Sequence, residues 1–326
     1  MVEEVFENIF RIEVVLPGNP LKATNAYLIR GAERDLLIDT GFRRKECFDA
    51  LSGGLKSLGS HRARRDVLCT HLHADHSGLA DLFAAEDGTI WFGAADLDRW
   101  GKIYDTEYRR KNRTRFLEEG FPLEILDKVY AVNPAFVQAL PATDARFRTI
   151  RGGDCVPAGD HVLTMIDVPG HTPGNGMFWM EDGGIMFTGD HVLFDITPNI
   201  TAWTGMDDAL GSYIDSLERV RDYPVKLALP GHRKPGDYLT RINAIIAHHA
   251  RRLDDAMNTI REEPGLTGYD IAGLMRWKIR AKNWAEFPPT QKWFAVGECF
   301  SHLDYLRKRG RITRRKEDGL YRYYAV

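Results

Sequence analysis

Residues 70–78 read T-H-L-H-A-D-H-S-G and concentrate side chains that bind metal ions. Three imidazoles and one carboxylate fall within six positions, and this donor set suits a borderline divalent cation such as zinc. These side chains are His71, His73, Asp75 and His76. A structural zinc site would favour paired cysteines, and a purely structural cluster would bury charge without a partner. The stretch therefore predicts a metal site that carries out chemistry.

The spacing within this stretch favours two metal ions over one. His71 and His73 are two residues apart, so an extended chain would point both in the same direction. Asp75 and His76 follow where the chain turns, and they can face a second point nearby. We expect a short buried strand at residues 65–70 and a helix at residues 77–85, opened by a hydroxyl residue. The histidines would then lie on the loop between strand and helix.

Three later positions offer the further ligands that a binuclear site needs. Each lies at the end of an apolar run and follows a glycine, which allows a sharp turn and a close approach of the backbone. They are His171 in V-P-G-H-T-P-G, Asp190 in F-T-G-D-H and His232 in L-P-G-H.

With these residues in place, the chain resembles the metallo-β-lactamase fold superfamily. The match runs over residues 5–236 and contains the five motifs of that family in order. They are Asp39 in D-T-G, the H-x-H-x-D-H run, the P-G-H-T-P-G loop, the G-D pair and the final P-G-H. The resemblance implies two metal sites, with Asp190 as the bridge between them. One site would contain His71, His73 and His171, and the other Asp75, His76 and His232.

The resemblance also implies roles around the metal ions. Asp75 and Asp190 would be the catalytic carboxylates. Asp39 would orient a metal-bound histidine from behind, although D-x-G is also common turn chemistry. His191 is a less favoured eighth ligand, because the family uses only the aspartate of that pair. The implied cofactors are two divalent metal ions, with zinc favoured and iron or manganese as alternatives.

The elements that must position these residues predict an α+β protein. We expect a four-layer αββα metallo-β-lactamase sandwich in residues 1–236, with helices outside two sheets. Strands are predicted at 9–16, 24–30, 35–39, 161–168, 176–180, 185–188 and 225–229, and helices at 43–58 and 208–221.

Residues 94–142 interrupt this pattern and are predicted to form a helical insertion. Five of the seven positions from 109 to 115 are basic. We expect the insertion to cover the mouth of the site, as a lid or as part of the substrate pocket. It would then favour an anionic group on the substrate, whereas the simpler alternative is a solvated helix face.

Residues 237–326 predict a second domain that resembles a winged helix. Helices are expected at 238–261, 267–277 and 291–309, followed by strands at 311–315 and 321–325. Residues 301–326 contain eight Lys/Arg against three Asp/Glu, which raises the question of nucleic-acid binding. We favour packing against the catalytic domain or a second subunit, because the hairpin is short. Some of its four large aromatic residues are expected to bury against such a surface, and these four are Trp277, Trp284, Trp293 and Phe294.

The composition of the chain limits which partners and which cellular location we expect. The chain has 326 residues, 44% of them hydrophobic, and a formal net charge of −2, which gives no general attraction to nucleic acid or membranes. Its four cysteines are far apart and predict free thiols in a reducing compartment. The N-terminus lacks signal-peptide features, and no run approaches the ~20 apolar residues of a membrane span. We therefore expect a cytoplasmic protein.

The expected reaction is hydrolysis by a water molecule activated between two metal ions. The favoured substrate is a small thioester, ester or lactone. The sequence resembles the glyoxalase II-like branch more than the secreted β-lactamases, because it keeps Asp75 and lacks a signal peptide. Its C-terminal region departs from that of glyoxalase II. The alternatives are a phosphodiesterase or ribonuclease, or a non-catalytic binding protein, and a homo-oligomer is a further expectation.

Overall fold

The computed structural model describes residues 1–102, 105–133, 143–278 and 281–326. The chain divides into two compact units. Unit 1 comprises Met1–Trp100, Gln138–Pro198 and Arg219–Ile242, and unit 2 comprises Gly101–Val137, Asn199–Glu218 and Asn243–Val326. Most of the helical insertion thus groups with the C-terminal helices.

The first sheet of unit 1 contains seven strands within the described residues, and their spatial order follows the chain. The first four strands pair antiparallel, and the fourth to the seventh pair parallel. The strands are β1 (Val2–Phe6), β2 (Ile9–Val15), β3 (Ala23–Ile29), β4 (Asp35–Ile38), β5 (Arg65–Cys69), β6 (Ile90–Gly93) and β7 (Phe147–Ile150). The parallel order brings the carboxyl ends of β4, β5 and β6 to the same edge.

The second sheet of unit 1 has the order β12-β11-β10-β9-β8 in the described part of the chain. Its strands are β8 (Cys155–Ala158), β9 (His161–Asp167), β10 (Gly176–Met180), β11 (Ile185–Gly189) and β12 (Leu227–Pro230). The predicted hairpin between β10 and β11 is confirmed. Strand β12 pairs parallel with β11, which places residues 190 and 231 next to each other at the carboxyl ends of two strands.

The two sheets pack face to face around one apolar core, which confirms the predicted sandwich. Ile38 and Leu68 of the first sheet share this core with Phe178 of the second. Tyr27 and Phe187 meet across it edge to face, with ring centroids 5.5 Å apart. Such aromatic pairs add to the stabilisation from burial alone. On the first sheet, helix α1 (Lys45–Ser57) packs against β2.

The helix predicted at residues 77–85 is wrong in its bounds. The chain instead forms two short helices, α2 (Ala74–Ser77) and α3 (Ala80–Phe83). The hydroxyl of Ser77 does not open a helix, because it donates to the carbonyl oxygens of Leu72 at 3.1 Å and His73 at 2.8 Å. Asp75 and His76 therefore lie within α2 and not on the preceding loop.

The remaining described elements are largely helical. They are α4 (Ala94–Lys102), α5 (Thr106–Glu118), α6 (Leu123–Val132), α7 (Ala209–Val220), α8 (Tyr238–Glu262), α9 (Gly268–Leu274), α10 (Pro289–Lys308), β13 (Ile312–Glu317) and β14 (Leu320–Ala325). Three of these helices, α4, α5 and α6, fall within the predicted helical insertion, and its residues 103–104 and 134–142 lie outside the described residues. Strands β13 and β14 pair antiparallel as a hairpin.

The aromatic residues of the C-terminal region pack on the insertion helices within unit 2. Trp293 stacks on Phe116 of α5, with ring centroids 5.7 Å apart. Trp277 and Trp284 are partly buried against the same core, whereas Phe294 is 37% exposed. Trp293 thus packs against a helix outside the C-terminal segment, within the same unit.

Basic side chains of α5 and the C-terminal hairpin make ion pairs inside unit 2. The pairs are Arg110–Glu107, Arg113–Asp127, Arg115–Asp304, Arg314–Glu119 and Lys316–Glu118. Much of the positive charge noted in the sequence is thus offset by nearby carboxylates.

Two further expectations concern the whole chain. All four cysteines lie in the described ranges, and all are free. Across those ranges, no helix is both long enough and apolar enough to cross a membrane.

Candidate metal centre

The first group of metal-binding side chains forms where β5 leads into α2. His71 and His73 lie on that connection, and Nε2 of His71 is 3.0 Å from Nδ1 of His73. His171, from the loop between β9 and β10, joins them. One ring nitrogen of each of the three lies within 4.8 Å of the others. Imidazole nitrogens that converge in this way are suited to share one cation.

The second group lies beside the first and combines α2 with the end of β12. Nε2 of His76 is 3.2 Å from Nε2 of His232. A carboxylate oxygen of Asp75 lies 3.5 Å from the same nitrogen of His232. These three residues also place one ligand atom each within 4.8 Å of the others.

Asp190, at the end of β11, lies between the two groups. Its Oδ1 is 3.5 Å from Nε2 of His76, and its Oδ2 is 3.4 Å from Nε2 of His232 and 3.8 Å from Nε2 of His171. This position suits a carboxylate that bridges two cations. His191 is in none of the groups formed by the described residues.

Asp39 supports this arrangement from the end of β4. Its backbone adopts φ +58°, a left-handed conformation that is uncommon outside glycine but more accessible to aspartate and asparagine than to most residues. Oδ1 accepts a hydrogen bond from the Thr70 backbone amide at 2.8 Å, and Oδ2 accepts one from the Thr70 hydroxyl at 2.8 Å. Oδ2 also lies 2.7 Å from Nδ1 of His76. Asp39 therefore holds the proton of His76 on Nδ1 and leaves Nε2 facing the second group.

The glycines noted in the sequence allow these loops to meet. A Cβ on Gly231 would lie 2.5 Å from Oδ1 of Asp190 and 2.8 Å from Cε1 of His76. A Cβ on Gly189 would lie 2.9 Å from that of Thr70, and Gly189 has φ +48°. The close approach that the sequence predicted is therefore required at both positions.

Asp96, on the first turn of α4, is a residue that the sequence analysis missed. It is fully buried and accepts hydrogen bonds from the Leu72 backbone amide at 2.8 Å, the Thr172 hydroxyl at 2.6 Å and the Gly174 backbone amide at 2.6 Å. Burial raises the pKa of Asp96 to about 6, although these donors oppose the change. The sequence feature that could have revealed Asp96 is its position just after a buried strand, as Asp39 also follows a buried strand.

The charge state of the side chains at the centre favours the binding of divalent cations. Burial and the neighbouring His171 lower the pKa of His73 to about 3, so this imidazole is neutral and can donate a lone pair. Burial opposes a charge on His232, but Asp190 and Asp75 outweigh it and raise the pKa of His232 to about 10. The carboxylates thus favour positive charge here. Imidazole and carboxylate donors match zinc, iron and manganese.

Known proteins share both the sequence pattern and the fold. The sequence model described as the Metallo-beta-lactamase superfamily matches residues 19–232, and that of the Metallo-beta-lactamase-like, C-terminal domain matches residues 285–326. The human protein named Acyl-coenzyme A thioesterase MBLAC2 is 28% identical over 214 residues, which cover 64% of this chain and 72% of the relative. Probable metallo-hydrolase YqjP of Bacillus subtilis is 24% identical over 308 residues, 88% of each chain.

Solved structures agree over nearly the whole length. Metallo-beta-lactamase family protein TTHA1429 from Thermus thermophilus superimposes with a TM-score of 0.83 at 26% identity, covering 99% of this chain and 100% of its own. A Beta-lactamase domain protein from Burkholderia ambifaria gives 0.81 at 24% identity, covering 100% and 93%, and shows the fold. From the family match and this fold, the chain belongs to the metallo-β-lactamase superfamily and is a metallo-hydrolase.

Proposed function

We propose that this hydrolase binds two divalent metal ions, with zinc favoured over iron or manganese, and cleaves thioesters. The observation that carries the proposal is the convergence of seven ligand-type side chains into adjoining groups. They are His71, His73 and His171, then Asp75, His76 and His232, with Asp190 between them. Asp75 and Asp190 are the carboxylates closest to the reaction.

The side chains of the chain itself prepare the site. Asp39 holds the Nδ1 proton of His76, and the carbonyl of Ala23 accepts that of His232 at 2.7 Å. Both imidazoles therefore turn Nε2 toward the centre, where a bound divalent cation would take the place of the proton on that nitrogen. Two bound divalent ions would lower the pKa of water and polarise the carbonyl under attack.

The choice of a thioester rests on the human relative, whose name specifies an acyl-coenzyme A thioesterase. Esters and lactones present the same kind of carbonyl and are the next substrates to expect. A nuclease is less favoured, since basic residues of the hairpin, including Arg314 and Lys316, pair with Glu119 and Glu118. These two cations already have carboxylate partners within the protein.

The test combines metal analysis with a substrate panel. Protein purified without chelator is expected to contain two metal equivalents per chain. It should hydrolyse acyl-coenzyme A thioesters faster than lactones, phosphodiesters or RNA. A value of one equivalent or less, unchanged after addition of zinc, manganese or iron, contradicts the binuclear site. Preferential cleavage of RNA would instead establish a nuclease.

A further inference from the structure

Asp96 connects the two loops that carry the three-histidine group. The amide of Leu72, which lies between His71 and His73, donates to Oδ2 at 2.8 Å. The hydroxyl of Thr172, the residue after His171, donates to the same oxygen at 2.6 Å. One carboxylate thus contacts both segments, within one residue of every histidine in the group.

The backbone segments around Asp96 approach one another closely. A Cβ on Gly174 would lie 2.3 Å from the backbone nitrogen of Asp96. A Cβ on Gly93, at the end of β6, would lie 2.1 Å from the carbonyl oxygen of Gly174. The second glycine of P-G-H-T-P-G therefore allows the loop to rest directly on the strand end that presents Asp96.

The hydrogen-bonding pattern requires a carboxylate. Oδ2 accepts two hydrogen bonds, and Oδ1 accepts a third from the Gly174 amide at 2.6 Å. All three partners are donors, so an asparagine would turn its NH₂ group toward at least one N–H or O–H. In a fully buried site, such a mismatch would separate the loops or leave a donor unsatisfied.

We propose that Asp96 is a positioning residue that fixes His171 relative to His71 and His73. It thereby sets the affinity of the metal site that these histidines form. The inference rests on the proposed binuclear function. Asp39 acts on the other group, through His76. The two carboxylates follow β4 and β6, on either side of β5. Asp39 contacts a histidine ring directly, whereas Asp96 holds the two loops of the three-histidine group.

The test compares zinc affinities in Asp96→Asn, Thr172→Val and wild type, by competition with a chromophoric chelator. Asp96→Asn is expected to keep one zinc ion at wild-type affinity and to bind the other about 10- to 100-fold more weakly, the usual effect of losing a ligand-orienting partner. Thr172→Val removes one of the three donors and should weaken the same ion by less. Asp66→Asn is the matched control, because Asp66 also accepts a backbone amide in unit 1, from Thr89 at 2.7 Å.

Double variants identify which ion is affected. Adding Asp96→Asn to His73→Ala should leave both zinc affinities as they are in His73→Ala, because the two substitutions act on the same ion. Adding it to His232→Ala should leave both ions more weakly bound than in the wild type. Equal loss of both ions in Asp96→Asn, or no loss, overturns the inference. If Asp96→Asn does not fold, unchanged affinities in Thr172→Val overturn it. A wild-type protein that binds neither zinc nor manganese nor iron refutes the proposed function and this inference with it.

Discussion

At the scale of single residues, the metal centre depends on which nitrogen of each histidine carries the proton. His71 shows this dependence through a chain of contacts. Its Nδ1 lies 3.0 Å from the Thr70 hydroxyl, and that hydroxyl donates to Asp39 at 2.8 Å. Because its own proton is used in that bond, the hydroxyl can act only as an acceptor toward His71. The proton of His71 therefore lies on Nδ1. Asp39 in this way controls a histidine in each group.

Loss of a single ligand is the most direct prediction at this scale. His73→Ala and Asp190→Ala should reduce hydrolysis by at least about a thousandfold, because metal ions contribute several kcal/mol to the transition state. The fold should persist, since neither side chain belongs to the apolar core. Activity is measured on the best thioester, alongside metal content and circular dichroism.

The controls for this prediction are His161→Ala and Asp182→Ala. The side chains of these two residues are in hydrogen-bond contact in the same unit, outside the metal centre. They should keep wild-type activity. Full activity with both metals bound in either ligand variant would show that the assignment is wrong.

The sequence revealed the ligand-type residues of the site but not all of their supports. Histidine and aspartate at short spacing, as in 71–76, are informative because few roles require them together. Asp96 escaped notice because its role lies in hydrogen bonds to the backbone of a loop 78 residues away. No local pattern in a sequence specifies such a partner.

At the scale of elements, the site is built from strand ends. Strands β4, β5, β11 and β12 each end at a turn that delivers one or more of its side chains. The periodicity of apolar residues predicted these strands well, since each is buried on at least one face. The short helix α2 was not predicted because it begins after His73 without a side-chain cap. The Ser77 hydroxyl, which was expected to cap a helix, instead donates to the His73 carbonyl oxygen.

The approach of β12 to the site gives a prediction about Gly231. In Gly231→Ala, the new methyl group would displace Asp190 or His76. We expect metal content to fall below two equivalents and hydrolysis to fall by about 10- to 100-fold or more.

The matched control is Gly53→Ala in α1, where a Cβ meets no atom within 4 Å. That change should instead stabilise the helix by about 0.5–1 kcal/mol. Wild-type metal content and rate in Gly231→Ala would contradict this prediction.

The C-terminal hairpin gives a second prediction at this scale. Its cations Arg314 and Lys316 are paired with Glu119 and Glu118 of unit 2, at 3.0 and 2.6 Å. We therefore expect no tight binding of RNA or duplex DNA at physiological salt, and any binding at low salt should fall steeply as salt rises. Labelled oligonucleotides titrated at two salt concentrations measure this. Tight binding that survives physiological salt, and is lost on truncation after Asp237, would favour the nuclease alternative.

At the scale of the whole molecule, unit 2 contains a buried polar network that the sequence did not predict. Nδ1 of His302 donates to the carbonyl oxygen of Glu298 at 2.7 Å, and its Nε2 accepts from Nδ1 of His249 at 3.2 Å. Arg252 pairs with the Glu298 carboxylate at 3.3 Å. Burial lowers the pKa of His302 to about 3 and that of His249 well below its usual range.

This network predicts a loss of stability in acid. Below about pH 6.5 the unfolded chain takes up a proton on His302, whereas the folded chain does not until about pH 3. Stability is therefore complete above pH 6.5 and declines as the pH falls through this window, by about 2 kcal/mol at pH 5 from His302 alone. Urea unfolding at pH 7.5 and pH 5, followed by tryptophan fluorescence, measures the difference. His302→Gln cannot titrate and should show a smaller one; an equal difference in both proteins would refute the prediction.

The contact between Ala23 and His232 determines when the metal centre can form during synthesis. The hydrogen bond between them spans 209 positions, and the side-chain amide of Asn25 reaches Pro230 across 205. A ribosome that adds about 5–20 residues per second would take roughly 10–40 s to travel that distance. During this time the histidines at 71, 73 and 76 have been synthesised without their partners. The group that contains His232, and with it the complete centre, can therefore assemble only after β12, the last strand of the sandwich, has been synthesised.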